Sequence, residues 1–158
     1  MAAGITDYTR IFNNNEGSQL SKFAAYIDTS PSMDPFRNKM VGMVGNIEDI
    51  LPTEIYTFGG SVHKCDTEKF VNGEYERHMS TYFNCVIEHL IDENMEGGVI
   101  FTDGYSDVAP EWQEKFRKAG KKMFCVYYHE TEPFEGCETL NEICEATHLF
   151  TLDPSERP

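Results

Sequence analysis

Apolar residues in this chain fall into short continuous runs that alternate with segments of helical periodicity. One run extends from Phe23 to Ile27 and is followed directly by Asp28; another, Val99 to Thr102, stops at Asp103. Short apolar runs bounded by polar residues are typical of strands that are buried on both faces of a parallel sheet. The pattern therefore predicts two central strands, and an aspartate follows directly on the apolar run of each.

The segment after the first strand predicts a helix that begins at Asp34 and Pro35. An aspartate can cap free amides, and proline is favoured at the first helical position. Apolar residues then recur at helical spacing until Pro52 stops the helix. These residues are Phe36, Met40, Met43, Val44, Ile47 and Leu51.

The middle of the chain predicts a hairpin followed by a second helix. Residues 54–58 read as a strand, Gly59 and Gly60 as a turn, and Ser61 to Asp66 as a more polar strand at a sheet edge. Residues 67–80 read as a polar loop. Beyond Thr81, helical spacing indicates a helix that ends near Gly97 and Gly98. Its apolar residues are Phe83, Val86, Ile87, Leu90 and Ile91.

The last third of the chain repeats this alternation. A helix is predicted from Pro110 to a C-cap at Gly120, with Trp112 and Phe116 facing inward. We predict a strand over Met123 to Tyr128, then a short helix, and then a last strand over His148 to Leu152. The short helix is marked by Leu140, Ile143 and Cys144.

Alternating strands and helices predict an α/β fold that is doubly wound and Rossmann-like. Its central sheet is expected to be mostly parallel, with one antiparallel edge strand and helices on both faces. In such sheets ligands bind beyond the carboxyl ends of the strands, where the strand order reverses. If the first and fourth strands are neighbours there, Asp28 and Asp103 face each other.

Length and charge narrow the functional classes. A chain of 158 residues is long enough for one self-sufficient domain, which we place at 22–158 after a polar lead-in at 1–21. With 13 basic and 27 acidic residues the net charge is −14, which repels nucleic acid and anionic membranes. No apolar run approaches the roughly 20 residues of a membrane helix, and no export signal is recognisable, so we expect a cytoplasmic protein.

The cysteines and histidines give weaker indications of a functional site than the net charge does of the functional class. The five cysteines show no close CxxC pair and are interpreted as reduced thiols; a zinc site at Cys137 and Cys144 would have only two of four ligands. The histidines are scattered over different elements and are interpreted as structural or solvated. They are His63, His78, His89, His129 and His148.

Oxygen-bearing side chains near the two strand ends form the strongest candidate site. Two carboxylates close together in a crevice raise each other's proton affinity unless a cation neutralises them. A set of hydroxyl and carboxylate oxygens favours hard ions such as Mg²⁺, Mn²⁺ or Ca²⁺ over zinc. The candidate metal ligands are Asp28, Ser30, Ser32, Thr81 and Asp103.

These residues carry a resemblance to von Willebrand factor A (VWA) domains that covers roughly residues 22–152. Asp28 to Ser32 matches the DxSxS motif of that family, Thr81 falls where its lone threonine falls, and Thr102 to Gly104 resembles its TDG motif. The stretch from Phe101 to Asp107 also resembles the bacterial intracellular branch of the family, whose members are often encoded beside MoxR-type AAA+ ATPases.

The resemblance implies a metal-ion-dependent adhesion site (MIDAS). In that site Ser30, Ser32 and Thr81 would contact the ion directly, and Asp28 and Asp103 would act directly or through water. The implied function is recognition: an acidic side chain of a partner protein, for which a MoxR-type ATPase is one candidate, fills the open position on Mg²⁺.

Two positions depart from the family pattern. Pro31 stands where glycine is usual, and His78 to Ser80 replaces a glycine-rich lead into the threonine. Ser80 is therefore an alternative ligand to Thr81. Tyr105 and Trp112 are candidate partner contacts beside the site, although Trp112 equally suits the core.

Two other functions remain open. One is a Mg²⁺-dependent phosphatase with Asp28 as nucleophile and Asp103 as metal ligand, but such chemistry needs a second carboxylate where the chain has Ser30, and no glycine-rich phosphate loop is present. The other is a metal-free VWA scaffold. We expect a protein-interaction module and not an enzyme.

Overall fold

The computed structural model of this chain describes residues 22–50 and 54–156, the side chains of residues 47–50 excepted. These residues form a six-stranded sheet in the order β3-β2-β1-β4-β5-β6. The strands are β1 (Phe23–Asp28), β2 (Glu54–Phe58), β3 (Val62–Lys64), β4 (Gly97–Thr102), β5 (Lys122–His129) and β6 (Ala146–Thr151). β3 pairs with β2 antiparallel, and the other neighbours pair parallel, which confirms the predicted fold class.

Helices cover both faces of the sheet. They are α1 (Arg37–Ile50), α2 (Thr67–Val71), α3 (Phe83–Asp92), α4 (Pro110–Ala119) and α5 (Glu138–Asn141), with 3-10 helices at Pro31–Phe36 and Pro154–Glu156. Successive residues of β1 point to opposite faces, so Ile27 packs with buried residues of α1 and α2 while Tyr26 packs with those of α3, α4 and α5. The sheet therefore separates two apolar cores.

The strand order reverses between β1 and β4. The chain runs from β1 to β2 on one side and returns to β4 on the other, and Ile27 lies opposite Phe101 in the parallel register. The residues that follow these two strands consequently leave the sheet at the same edge. This confirms that Asp28, the last residue of β1, and Asp103, the residue after β4, lie at the carboxyl ends of neighbouring strands.

The prediction of a polar loop over residues 67–80 is wrong at its start, where α2 forms. Asp66, which the sequence pattern assigns to an edge strand, instead caps this helix, and its Oδ1 accepts a hydrogen bond from the Lys69 amide at 3.2 Å. Phe70 is fully buried and stacks on Tyr75 with ring centroids 4.6 Å apart. A five-residue helix with a single buried residue leaves no periodicity to detect, and the Asp66 cap is the available signal.

Two predicted helix boundaries also differ. The helix after Thr81 ends at Asp92, and Gly97 and Gly98 begin β4 instead of terminating that helix. A Cβ on Gly98 would lie 2.9 Å from the Tyr26 ring, so close packing in the sheet explains this glycine. Asp34 lies inside the 3-10 helix that already begins at Pro31, and its carboxylate pairs with Arg77 at 3.2 Å.

Some predictions fall beyond the part of the chain that the structure describes. They are the lead-in at 1–21, the contributions of Ile47 and Leu51 to the apolar face of α1, and the stop at Pro52. Among the described helices, none combines the length and apolarity required to cross a bilayer.

Replacing Phe70 by alanine tests the contribution of α2 to the core. Because the ring is fully buried, Phe70→Ala should lower the free energy of unfolding by about 3 kcal/mol or more, as measured by urea denaturation. The matched control is Val71→Ala, whose side chain is 44% exposed, and we expect a change within about 0.5 kcal/mol. If Phe70→Ala lowers the free energy of unfolding no more than Val71→Ala does, α2 does not anchor the core.

Candidate metal centre

Asp28 links three separate segments of the chain at the carboxyl edge of the sheet. Its side chain is fully buried. The amide of Ser30 donates to Oδ1 at 2.9 Å, the hydroxyl of Thr102 donates to Oδ2 at 2.7 Å, and the hydroxyl of Thr81 donates to Oδ1 at 3.4 Å. One carboxylate therefore holds the β1 loop, the end of β4 and the loop before α3 together.

The loop after β1 presents two hydroxyl groups side by side. Ser30 has an extended backbone (φ −65°, ψ 156°), which is the conformation favoured before a proline, and Pro31 begins the 3-10 helix. The Oγ atoms of Ser30 and Ser32 lie 3.1 Å apart, with Ser30 buried and Ser32 exposed. Pro31 is thus compatible with a loop that places both hydroxyls at the mouth of the site.

Thr81 is held in place by the loop that follows β4. The hydroxyl of Ser106 donates to the Thr81 carbonyl oxygen at 2.6 Å. The Oγ of the neighbouring Ser80 lies instead beside Gly60, 3.4 Å from the position that a Cβ on that glycine would take. This geometry favours Thr81 over Ser80 as the residue that faces Asp28.

Asp103 contributes a buried oxygen that lacks a partner. The side chain is 2% exposed, and its Oδ1 accepts the Tyr105 amide at 3.4 Å. Its Oδ2 has no hydrogen-bond partner among the described residues. Since an unsatisfied buried carboxylate oxygen is costly, a cation at this position would stabilise it.

The two carboxylates also interact through their charge. Burial raises the pKa of Asp28 above its ordinary value, and the negative charge of Asp103 raises it further. The hydrogen bonds from Thr102 and Ser30 act in the opposite direction, because they stabilise the ionised form. Desolvation is the largest of these effects, so burial makes the ionised form of Asp28 less favourable than it is in water.

The donor chemistry of this pocket suits a hard divalent ion. The five candidate ligands lie on segments that the hydrogen bonds above bring together, and each offers oxygen. Oxygen ligands favour Mg²⁺, Mn²⁺ or Ca²⁺, and an unpartnered buried carboxylate oxygen beside a second carboxylate is what such an ion would neutralise. The residues present therefore fit the ion that the VWA resemblance implies.

Thr102 has a positioning role that the sequence reasoning missed. Its hydroxyl donates to Asp28 and accepts the amide of Gly104 at 3.1 Å, so it ties the two aspartate-bearing loops to each other. Its place in the TDG motif is the signal, but as the last residue of a predicted strand it gives no indication of which side chains its hydroxyl contacts. Ser106 was likewise overlooked, because a serine in a polar loop carries no pattern.

The cysteines are not among the candidate ligands of this metal site. The cysteines are free thiols. Burial raises the pKa of Cys85 to about 11 and that of Cys144 to about 12. Cys137 donates to the Ser106 carbonyl oxygen at 3.0 Å, and no third metal ligand joins Cys137 and Cys144 among the described residues.

Comparison with known proteins supports the fold. No family model matches the chain, and no curated protein gives a significant match. Among solved structures, the chain is similar to an aerotolerance-related membrane protein from Bacteroides fragilis NCTC 9343 that carries multiple mutations to serine. The TM-score is 0.59 at 12% identity, and the match covers 86% of this chain and 93% of that one. The fold is VWA-like. At 12% identity this similarity shows the fold alone and says nothing about function.

The charge of Asp28 should make the metal-free protein less stable as the pH rises. Because the pKa is raised in the folded state, the folded protein keeps a proton that the unfolded chain releases above about pH 4. The carboxyl group therefore favours folding most at low pH, and this contribution is lost as the pH rises through the folded pKa. In chelator, Asp28→Asn should melt at a higher temperature than the wild type at about pH 8, and the difference should shrink towards about pH 4.

Thermal melts followed by circular dichroism measure this difference. The matched control is Asp107→Asn, an exposed aspartate in the loop that also carries Asp103, which should leave the pH dependence unchanged. A wild type that melts above Asp28→Asn at high pH in chelator contradicts this account of the buried carboxylate.

Proposed function

We propose that this protein is a divalent-metal-dependent protein-interaction module with a MIDAS-type site. The observation that carries the proposal is the unpartnered Oδ2 of Asp103, buried beside Asp28 where hydroxyl-bearing loops converge. The proposed metal ligands are Asp28, Ser30, Ser32, Thr81 and Asp103, and the proposed ion is Mg²⁺, with Mn²⁺ or Ca²⁺ as substitutes.

The ion would supply positive charge and a free coordination position in a strongly acidic protein. The net charge of −14 disfavours nonspecific contact with other acidic molecules, and three of the five proposed ligands are uncharged hydroxyls, which leave the ion electron-poor. An aspartate or glutamate side chain of a partner is the matching group. Binding should consequently be selective and metal-dependent.

Exposed large side chains lie within two residues of the proposed ligands Thr81 and Asp103 in the sequence. Met79 is 88% exposed, Tyr82 is 55% exposed and Tyr105 is 66% exposed, and these residues come from the loops that carry Thr81 and Asp103. Exposed aromatic and methionine side chains are enriched at protein interfaces. They support a protein partner over a small ligand.

Tyr105 is the better supported of the two aromatic partner contacts proposed from the sequence. Trp112 is half-buried against the core on the α3 and α4 face, and the Lys115 ammonium lies 4.3 Å from its ring centroid. The partner itself is proposed only by chemistry, and a MoxR-type AAA+ ATPase remains the candidate that the VWA resemblance suggests.

Metal binding should be visible as thermal stabilisation. Mg²⁺ at about 100 times its dissociation constant stabilises a folded protein by about 2.7 kcal/mol, which corresponds to roughly 5 to 10 °C for a domain of this size. We expect Asp28→Ala and Asp103→Ala each to abolish this shift in differential scanning fluorimetry. Asp107→Ala should retain it. An unchanged response to Mg²⁺ in both site variants would refute the ligand assignment.

Partner binding should require the same two carboxylates. In affinity capture from the source cell, a specific partner should be retained by the wild type and by Asp107→Ala in Mg²⁺. The same partner should be absent when chelator replaces Mg²⁺ and absent with Asp103→Ala. A partner that is retained in all four arms binds elsewhere on the surface.

Turnover of a generic phosphate ester that is lost with Asp28→Ala would instead support the phosphatase.

A further inference from the structure

A second group of side chains that could bind a metal ion forms where β3 meets the loop that leads to Thr81. His63 projects from the edge strand β3, and Glu76 and His78 come from the loop between α2 and α3. One ligating atom from each of the three side chains lies within 4.8 Å of the others. This group differs from the interpretation of both histidines as structural or solvated, which rests on their scatter over different elements of the sequence.

The two imidazoles are already arranged side by side. Their rings are stacked, with centroids 5.1 Å apart and planes inclined by 8°. The Nε2 of His78 is enclosed and has no hydrogen-bond partner within the described part of the chain. A buried ring nitrogen without a partner is costly, and a metal ion is one of the groups that can satisfy it.

The position of His78 depends on a glycine in the neighbouring hairpin. A Cβ on Gly59 would lie 2.0 Å from the Cβ of His78, so no other residue at position 59 leaves room for this histidine. The amide of His78 also donates to the Thr29 carbonyl oxygen at 3.3 Å. The backbone that presents the ligand is therefore fixed before any ion binds.

The geometry points to a Zn²⁺-type site formed by His63, Glu76 and His78. Two imidazoles and one carboxylate are ligands for Zn²⁺ and related transition metals, whereas Mg²⁺ prefers oxygen ligands alone. Ligands of a tetrahedral zinc ion lie roughly 3.4 Å apart, so small side-chain movements suffice to close the group. The fourth position is left to water.

Ser61 supports this assignment from outside the ligand set. Its hydroxyl lies 2.8 Å from the Nε2 of His63. Metal-binding histidines commonly donate their second ring N–H to such a partner, which fixes the tautomer and orients the ring. His63 can thus bond to Ser61 through one nitrogen and present the other to the ion.

A metal ion bound here would fasten the α2–α3 loop to the edge of the sheet. His63 belongs to β3, while Glu76 and His78 precede Thr81 by only a few residues. The ion would therefore cross-link the loop to the strand and restrict its motion. This site is independent of the divalent ion proposed for the neighbouring pocket, because the two sites share no ligand and prefer different metals.

Zinc titration of the full chain tests this site. With a thiol-free reductant present, isothermal titration calorimetry of the wild type should detect one Zn²⁺ per chain that excess Mg²⁺ does not displace. His63→Gln and Glu76→Gln should each weaken this binding at least about ten-fold. Both side chains are exposed, so both variants should fold, and melts in chelator confirm it. The matched controls Glu74→Gln, in the same loop, and His148→Gln, on β6, should bind Zn²⁺ as the wild type does.

Two further measurements distinguish this site from binding at thiols. Co²⁺ should give a visible ligand-field spectrum that His63→Gln loses and Cys65→Ser retains. Hydrogen exchange of residues 74–82 should slow when Zn²⁺ is added to the wild type and not when it is added to Glu76→Gln. Zinc binding that is unaffected by His63→Gln and Glu76→Gln, or that is lost with Cys65→Ser, would overturn the proposal.

Discussion

The buried carboxylate of Asp28 is the constraint on which the rest of the site depends. Its two oxygens accept hydrogen bonds from the β1 loop, from Thr102 on β4 and from Thr81 before α3. These segments are up to 74 residues apart in sequence, and directional hydrogen bonds to one carboxylate fix their polar groups in relation to one another. The carboxylate can do this because Asp28 ends β1 at the point where the strand order reverses, so that loops from both sides of the strand meet there.

This arrangement has an electrostatic cost. Desolvation and the nearby charge of Asp103 both oppose ionisation of Asp28, and the hydroxyl and amide donors only partly offset them. A protein selected for stability alone would place apolar side chains here. The proposed cation site rests on these two buried carboxylates and on the unpartnered oxygen of Asp103.

Sequence reasoning predicted those parts of the molecule that leave a repeated pattern. Apolar runs located the central strands, and the aspartates after β1 and β4 followed from strand position alone. It failed where one residue decides the outcome: Phe70 anchors a five-residue helix, and Gly98 lies inside a strand where a Cβ would clash with the ring of Tyr26. It also failed where residues meet only through the fold, because His63 and His78 come together from different elements.

The shortness of β3 affects how this protein can meet another molecule. Only Val62–Lys64 lies at that edge of the sheet, and an edge of three residues ending in a lysine is a poor template for a strand from another chain. Association by sheet extension is therefore disfavoured on this side. A partner that approaches here meets loops and side chains, whose geometry a few substitutions can alter without disturbing the sheet.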